Sequence, residues 1–272
     1  MSPCGRVCAA PGPGVHRLPR PVGGRRSAVM LALPLPRASE PALTATPTPA
    51  LPAAVLWDMD GTLVDTEPYW IRAEHELVAA HGGRWSHEKA LKLVGNDLLT
   101  SGRIIRDEGP VPLTAEEIVD RLLERVVELV RERVPWQPGA LELLGALGAA
   151  GIPCALVTMS YDVLASEVVR RAPAGSFTTT VTGDQVTRGK PHPDPYLTAA
   201  KILGVDPRAC VGIEDSPTGI ASSLAAGVRT LGVEAVVPVP HLAGLSRASS
   251  LTQVGLGTLA RIAAGEVLDV TV

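Results

Sequence analysis

Aromatic side chains are scarce in this 272-residue chain: they make up 3% of it, as one Phe, three Tyr and four Trp. Since 46% of the residues are nonetheless hydrophobic, a core has to be built mainly from Leu, Val, Ala and Ile. Long apolar runs are missing too, and none approaches the roughly 20 residues that cross a bilayer. A soluble chain with no membrane partner is therefore expected. The four cysteines lack the clustered spacing of a thiolate metal site. Cys4 and Cys8 fall near the start, whereas Cys154 and Cys210 fall in apolar stretches, where packing thiols suit a reducing cytoplasm. The six histidines show no ligand spacing, and only His192 lies in a motif, where it reads as a loop residue. Lysine is rare as well, at four of 25 basic residues, which makes the surroundings of each one informative.

Residues 1–52 differ in kind. They hold six of the 25 basic residues, one of the 28 acids and 11 of the 25 prolines, too little apolar surface to repay ordering. Arg25-Arg26 ahead of residues 28–33 has the outline of an export signal, but Pro34 and Pro36 cut its apolar part short. The acid-poor, Arg-bearing composition also fits an organellar transit peptide. The reading taken is a disordered tail or an over-extended start, with Met30 as an internal alternative. Removing this stretch leaves a net charge of −8, which argues against a nucleic-acid partner.

The most informative segment is Leu56-Trp57-Asp58-Met59-Asp60-Gly61-Thr62-Leu63-Val64-Asp65-Thr66-Glu67-Pro68. Residues 53–57 are an apolar run of the length of a buried parallel strand, so Asp58 and Asp60 emerge at its carboxyl end. Ligands bind there in open α/β sheets, and one carboxylate can act as nucleophile while its neighbour moves a proton. Alone, Asp and Gly after an apolar run are ordinary turn chemistry. Three further polar groups follow strand-like runs, however: Thr158 after 152–157, Lys190 in Gly189-Lys190-Pro191, and Glu214-Asp215 after 209–213.

From Asp65 to about Val134 the pattern is helical. Pro68 suits a helix start, Gly82-Gly83 ends that helix, and Thr114 with Glu117 forms a capping box. Ile118, Leu122, Val126 and Val130, flanked by Val119, Leu123 and Val127, draw one apolar stripe. Beyond Gly139, strands (152–157, 177–181, 209–213, 228–232) alternate with helices (140–149, 163–171, 194–203 capped by Asp194, 218–226), which implies a parallel sheet. Residues 233–272 give only an edge strand near 251–254 and a helix near 259–264. The fold class is thus α/β, a Rossmann-like parallel sheet core (53–65 and 138–272) with an inserted all-helical cap (66–137).

With these motifs in this order, residues 53–232 resemble the haloacid dehalogenase superfamily. The likeness is to its phosphatase-like branch with a helical cap, such as phosphoglycolate phosphatase and β-phosphoglucomutase-like proteins. The resemblance implies a phosphatase acting on a small phosphorylated metabolite through an aspartyl phosphate. It makes Asp58 the nucleophile and Asp60 the acid, then base. It assigns Mg²⁺ to the Asp58 carboxylate, the Asp60 carbonyl and Asp215, with Glu214 binding directly or through water. Lys190 becomes the fixed ammonium for phosphate and nucleophile, and Thr158 a hydroxyl for a phosphoryl oxygen. Gly61 and Thr62 match the loop after the nucleophile, and Ser160 and Ser216 are further hydrogen bonders.

Four alternatives fit the sequence less well. In the family's mutases a His follows the first motif and an Arg sits in the cap loop; here Trp70 and Leu98 or Leu99 stand instead. Dehalogenases and phosphonate hydrolases depart from Asp at the second position, which Asp60 keeps. A non-catalytic binding protein would have lost a motif carboxylate or Lys190, yet all are present. Residues 94–100 supply no cation for a second phosphate, and Arg103 and Arg106 read as a solvated face, so a monophosphate is expected over a bisphosphate. Oligomeric state is not encoded in any motif, and a monomer is the expectation.

Overall fold

The computed structural model describes residues 14–19, 49–94 and 96–271, so expectations for most of the first 52 residues lie outside the described part. Seven parallel strands form one sheet in the order β3-β2-β1-β4-β5-β6-β7. They are β1 (Ala54–Trp57), β2 (Cys154–Val157), β3 (Thr179–Val181), β4 (Cys210–Glu214), β5 (Arg229–Val233), β6 (Leu245–Ala248) and β7 (Asp269–Val270). Every residue of β1, β2 and β4 is buried, as expected of continuous apolar runs covered on both faces. Leu56, Trp57, Leu156 and Ile213 are fully enclosed among them. The fold is therefore the α/β, Rossmann-like class.

Chain order sets where a site can form. β1 lies between β2 and β4, and the chain grows to β3 on one side before it crosses to β4 on the other. This is the switch point at which an α/β sheet opens a crevice beyond its carboxyl ends. Trp57 stands level with both Leu156 and Ile213, so the residues after these three strands emerge side by side.

Of the five helices between β1 and β2, the first four form one segment: α1 (Glu67–Ala80), α2 (His87–Leu91), α3 (Leu98–Glu108) and α4 (Ala115–Glu132). The two connections to this helical segment run together, with an antiparallel bridge between Val64 and Trp136. Asp65 N donates to Pro135 O at 2.7 Å, and Gln137 N to Leu63 O at 3.0 Å. The expected capping box is present: Glu117 N donates to Thr114 Oγ1 at 3.2 Å, and Thr114 N to Glu117 Oε2 at 2.8 Å. All seven stripe residues of α4 are buried; the helix packs on α1, α3 and α6 (Asp162–Val169). The remaining helices are α5 (Ala140–Ala149), α7 (Asp194–Leu203), α8 (Pro217–Ala225) and α9 (Leu256–Ala263).

Two expectations fail for local reasons. Residues 251–253 form a 3₁₀ turn rather than a strand, because Ser250 Oγ accepts from Thr252 N at 3.2 Å and Gln253 Oε1 accepts from Ser249 N at 3.0 Å. Such side-chain bonds compete with a ladder. The C-terminal strands are instead β6 and β7, with β7 at the edge, and their short pattern is mixed with polar residues. Asp194 does not cap α7 either, since its carboxylate is taken by Arg188 at 2.8 Å and 3.2 Å.

One ion cluster ties α4 to α6. Glu167, whose side chain is 2% exposed, accepts from Arg131 of α4 at 2.8 Å and from Arg171 at 2.7 Å, and pairs also with Arg170. Burial pushes its carboxyl up, but the three guanidinium hydrogen bonds outweigh that and hold it down at about 2. Glu167→Gln should cost about 2 kcal/mol at neutral pH, the scale of hydrogen bonds to a charged group, measured by urea unfolding. Because the native value lies below the unfolded one, this stabilisation is complete above about 4.5 and is lost as pH falls toward 2. Wild type and variant should therefore converge on acidification.

Candidate active site

The carboxyl ends of β1, β2 and β4 meet around one ammonium. Lys190 Nζ donates to Asp58 Oδ1 at 2.6 Å, to Glu214 Oε1 at 2.6 Å and to the carbonyl of Val157 at 2.9 Å. All three charged side chains are nearly or fully enclosed, at 4% exposure for Lys190, 10% for Asp58 and none for Glu214. A lysine so buried is tolerated only when each proton has an acceptor. Burial lowers its affinity for the proton, but Asp58 and Glu214 more than compensate and keep it charged.

One ammonium does not neutralise the carboxylates it faces. Asp58, Glu214 and Asp215, all buried, bring one oxygen each within 4.8 Å of one another. Burial first, then the charge of Glu214, pushes the Asp58 carboxyl up to about 7 despite Lys190. Asp215 is raised well above the ordinary carboxylate range by burial and by Asp58 and Glu214. A crowded, dehydrated set of hard oxygen donors is suited to a divalent cation such as Mg²⁺. The carboxylate of Asp60 lies outside that group.

Backbone close approach builds the set. Gly61 has φ +87°, and a Cβ there would overlap the Asp215 carboxylate, so glycine is required on both counts. Thr62 Oγ1 donates to Asp215 Oδ1 at 3.1 Å. Ser216 caps α8 through Gly219 N at 3.0 Å and donates to Glu214 Oε2 at 3.4 Å.

Asp60 occupies a separate environment. Its Oδ1 accepts from Thr66 Oγ1 at 2.5 Å and from the indole of Trp70 at 3.4 Å, and its Oδ2 accepts from Ser160 Oγ at 2.8 Å and Thr158 Oγ1 at 3.3 Å. Thr158 is thus turned to Asp60, while its oxygen also accepts from Ser160 N at 3.0 Å. Asp58, Asp60, Thr158, Lys190 and Asp215 all line one cleft of about 120 Å³, with Glu214 behind them. Its far wall comes from the helical segment, including Glu67, Trp70 and Glu74 of α1. Glu67 is pushed up to about 7 by burial and by Asp60 and Asp65, and Glu74 to about 8 by burial.

Sequence reading missed several contributors. Tyr196, fully buried on α7, donates its hydroxyl to Glu214 Oε1 at 2.6 Å and sets its ring 5.3 Å from Lys190 Nζ. Gln137 Nε2 donates to the carbonyl of Gly61 at 2.8 Å. Trp70, which stands in the sequence as a helix position and where the family's mutases have a histidine, donates to Asp60. The usable signal for Tyr196 was its rarity, one of three tyrosines, one turn after the Lys190 motif. Tyr196→Phe keeps the ring but removes the donor to Glu214, and should lower stability by about 2 kcal/mol in urea unfolding.

Comparison with known proteins agrees with this geometry. Residues 55–233 match the family model for haloacid dehalogenase-like hydrolases. Hexitol phosphatase A of Escherichia coli K12 is 36% identical over 69% of this chain and 85% of its own length, and hexitol phosphatase B is 32% identical over 81% and 99%. Among solved structures, a variant of CbbY from Rhodobacter sphaeroides in complex with xylulose-1,5-bisphosphate has a TM-score of 0.70. It is 30% identical and covers 77% of this chain and 99% of that one. The crevice at the switch point, the order of its motifs and these likenesses together make the chain a member of the haloacid dehalogenase-like hydrolase family.

Proposed function

We propose that this protein is a phosphatase releasing inorganic phosphate from a small phosphorylated metabolite, with Asp58 as nucleophile. The observation that carries the reading is the division between two carboxylates two residues apart. Asp58 faces Lys190 and the acidic oxygen set, whereas Asp60 is held by two hydroxyls, an indole and Thr158. Environments that differ in this way assign different roles to a carboxylate pair. Residues 66–137 are read as the cap and 53–65 with 138–272 as the catalytic core.

In the first step the free oxygen of Asp58 attacks phosphorus, the bond from phosphorus to the alcohol oxygen breaks, and Asp60 passes its proton to that oxygen. In the second step Asp60 takes a proton from water as the water oxygen attacks the aspartyl phosphate. The bond to Asp58 breaks and phosphate leaves. Lys190 holds Asp58 in place and offsets its charge as two anions approach. Asp58, Asp215 and the carbonyl of Asp60 would hold Mg²⁺, with Glu214 direct or through water. The ion supplies charge neutralisation on the phosphoryl oxygens.

The hexitol phosphatases point to a sugar or polyol phosphate as substrate. A mutase would have to hold an intermediate with a second phosphate, and among the described residues the cleft has no cation beyond Lys190 for it. Arg103 and Arg106 are both exposed, and Arg106 pairs with Asp107 at 2.8 Å.

Asp58→Asn should lower phosphate release by at least about a thousandfold, as losses of catalytic groups do, with an unchanged folded baseline by circular dichroism. Activity above a tenth of wild type would remove Asp58 from the role. Mg²⁺ should also stabilise the protein in a pH-dependent way. A carboxyl raised in the folded state favours folding while protonated, and that contribution is lost as pH rises from the unfolded value toward about 7. The gain in Tm on adding Mg²⁺ should therefore be larger at pH 8 than at pH 5.

A further inference from the structure

The wall of the cleft opposite Lys190 carries two polar groups that the phosphoryl chemistry does not use. Glu74 on α1 is 4% exposed, and its Oε2 is anchored by the indole of Trp85 at 3.1 Å. Its Oε1 has no hydrogen-bond partner among the described residues, although Glu74 lines the cleft. Ser101 on α3 is 7% exposed, lines the same cleft, and its hydroxyl likewise has no partner among the described residues. Neither atom is fully sealed from solvent, and both residues line the cleft. Two polar atoms from different helices, on nearly buried residues of one cleft and without a partner among the described residues, are placed to hydrogen-bond a ligand that enters it.

The charge of the wall limits that ligand. Glu67, Trp70 and Glu74 follow one another at spacings of three and four, which puts them on one face of α1. The rest of the wall includes Leu93, Val94, Leu98 and Leu122. Lys190 is the one cationic side chain lining the cleft among the described residues, and its protons already go to Asp58, Glu214 and Val157. A carboxylate or second phosphate on the substrate would find no free cation there among the described residues, since this wall offers acids, apolar groups and the neutral Trp70, Asn96 and Ser101. A neutral chain of hydroxyls could donate to Glu74 Oε1 and exchange a hydrogen bond with Ser101.

We propose that Glu74 and Ser101 form the specificity subsite for the leaving alcohol, and that it selects an uncharged polyol or sugar monophosphate over bisphosphates and phosphorylated carboxylic acids. This rests on the phosphatase reading, and the substrates separate the two. p-Nitrophenyl phosphate reports the phosphoryl chemistry without hydroxyls for the subsite. A hexitol 6-phosphate reports both, and a sugar bisphosphate reports the charge selection.

Steady-state kinetics on the full chain would use Glu74→Gln, which keeps an oxygen for Trp85, and Ser101→Ala, which removes only the hydroxyl. Each should raise KM for the hexitol phosphate by about tenfold, as expected for loss of a hydrogen bond in a dehydrated site. kcat for the hexitol phosphate and kcat/KM for the aryl phosphate should stay within about twofold, because binding to the remote part of the substrate is uniform. Equal losses on both substrates would show a structural role only and overturn the proposal, as would unchanged KM values in both variants. If Glu74→Gln does not fold, Ser101→Ala alone decides the matter by the same split. A wild-type preference for the bisphosphate would overturn the charge selection. Failure of wild type on the aryl phosphate would instead remove the phosphatase reading beneath it.

Discussion

The Lys190 ammonium between Asp58 and Glu214 is the constraint on which the rest of the site depends. It bridges residues 132 and 24 positions away in the chain, so it exists only if β1, β2 and β4 are correctly ordered. The parallel register supplies that order by placing Trp57, Leu156 and Ile213 side by side. In return the ammonium makes tolerable what the sheet alone could not, three carboxylates dehydrated within a few ångströms. Removing either side of such an arrangement leaves an uncompensated buried charge, which costs far more than the pair gains. Tyr196 and Ser216 complete it by accommodating the lone pairs of Glu214 that Lys190 leaves free.

The same geometry explains why two aspartates separated by one methionine can act differently. Met59 is fully buried, so the chain turns around it and sends the flanking carboxylates to different partners. Asp58 faces charge; Asp60 faces Thr66, Trp70, Ser160 and Thr158. Trp70 comes from α1, so the helical segment fixes the orientation of one catalytic candidate as well as walling the cleft. Gln137, at the other end of that segment, holds the Gly61 carbonyl. The two connections therefore touch the site directly.

Much of this was legible in the sequence because strand ends are punctuated by composition. Apolar runs stop where Asp58, Thr158 and Glu214 begin, and a parallel sheet brings such ends together whatever their separation. The stripe of α4 and its Thr114 cap were equally plain, since periodicity and capping are local. What escaped reading depends on tertiary approach. Tyr196 sits in an ordinary helical pattern, and only the fold turns its hydroxyl toward Glu214. Glu74 looks like one more helix surface acid until Trp85 is seen to anchor it. The C-terminal edge was misplaced because Ser250 and Gln253 redirect a strand-like stretch through side-chain bonds.

The central claim is that Asp58 becomes phosphorylated during turnover. It is tested most directly by acid-quenching the enzyme within milliseconds of mixing with a ³²P-labelled monophosphate substrate and mapping the label by peptide sequencing. The account predicts a hydroxylamine-labile phosphate on the peptide containing Asp58, formed and consumed at rates that match product release. Phosphate release with no protein-bound label, or label on any other residue, would contradict it.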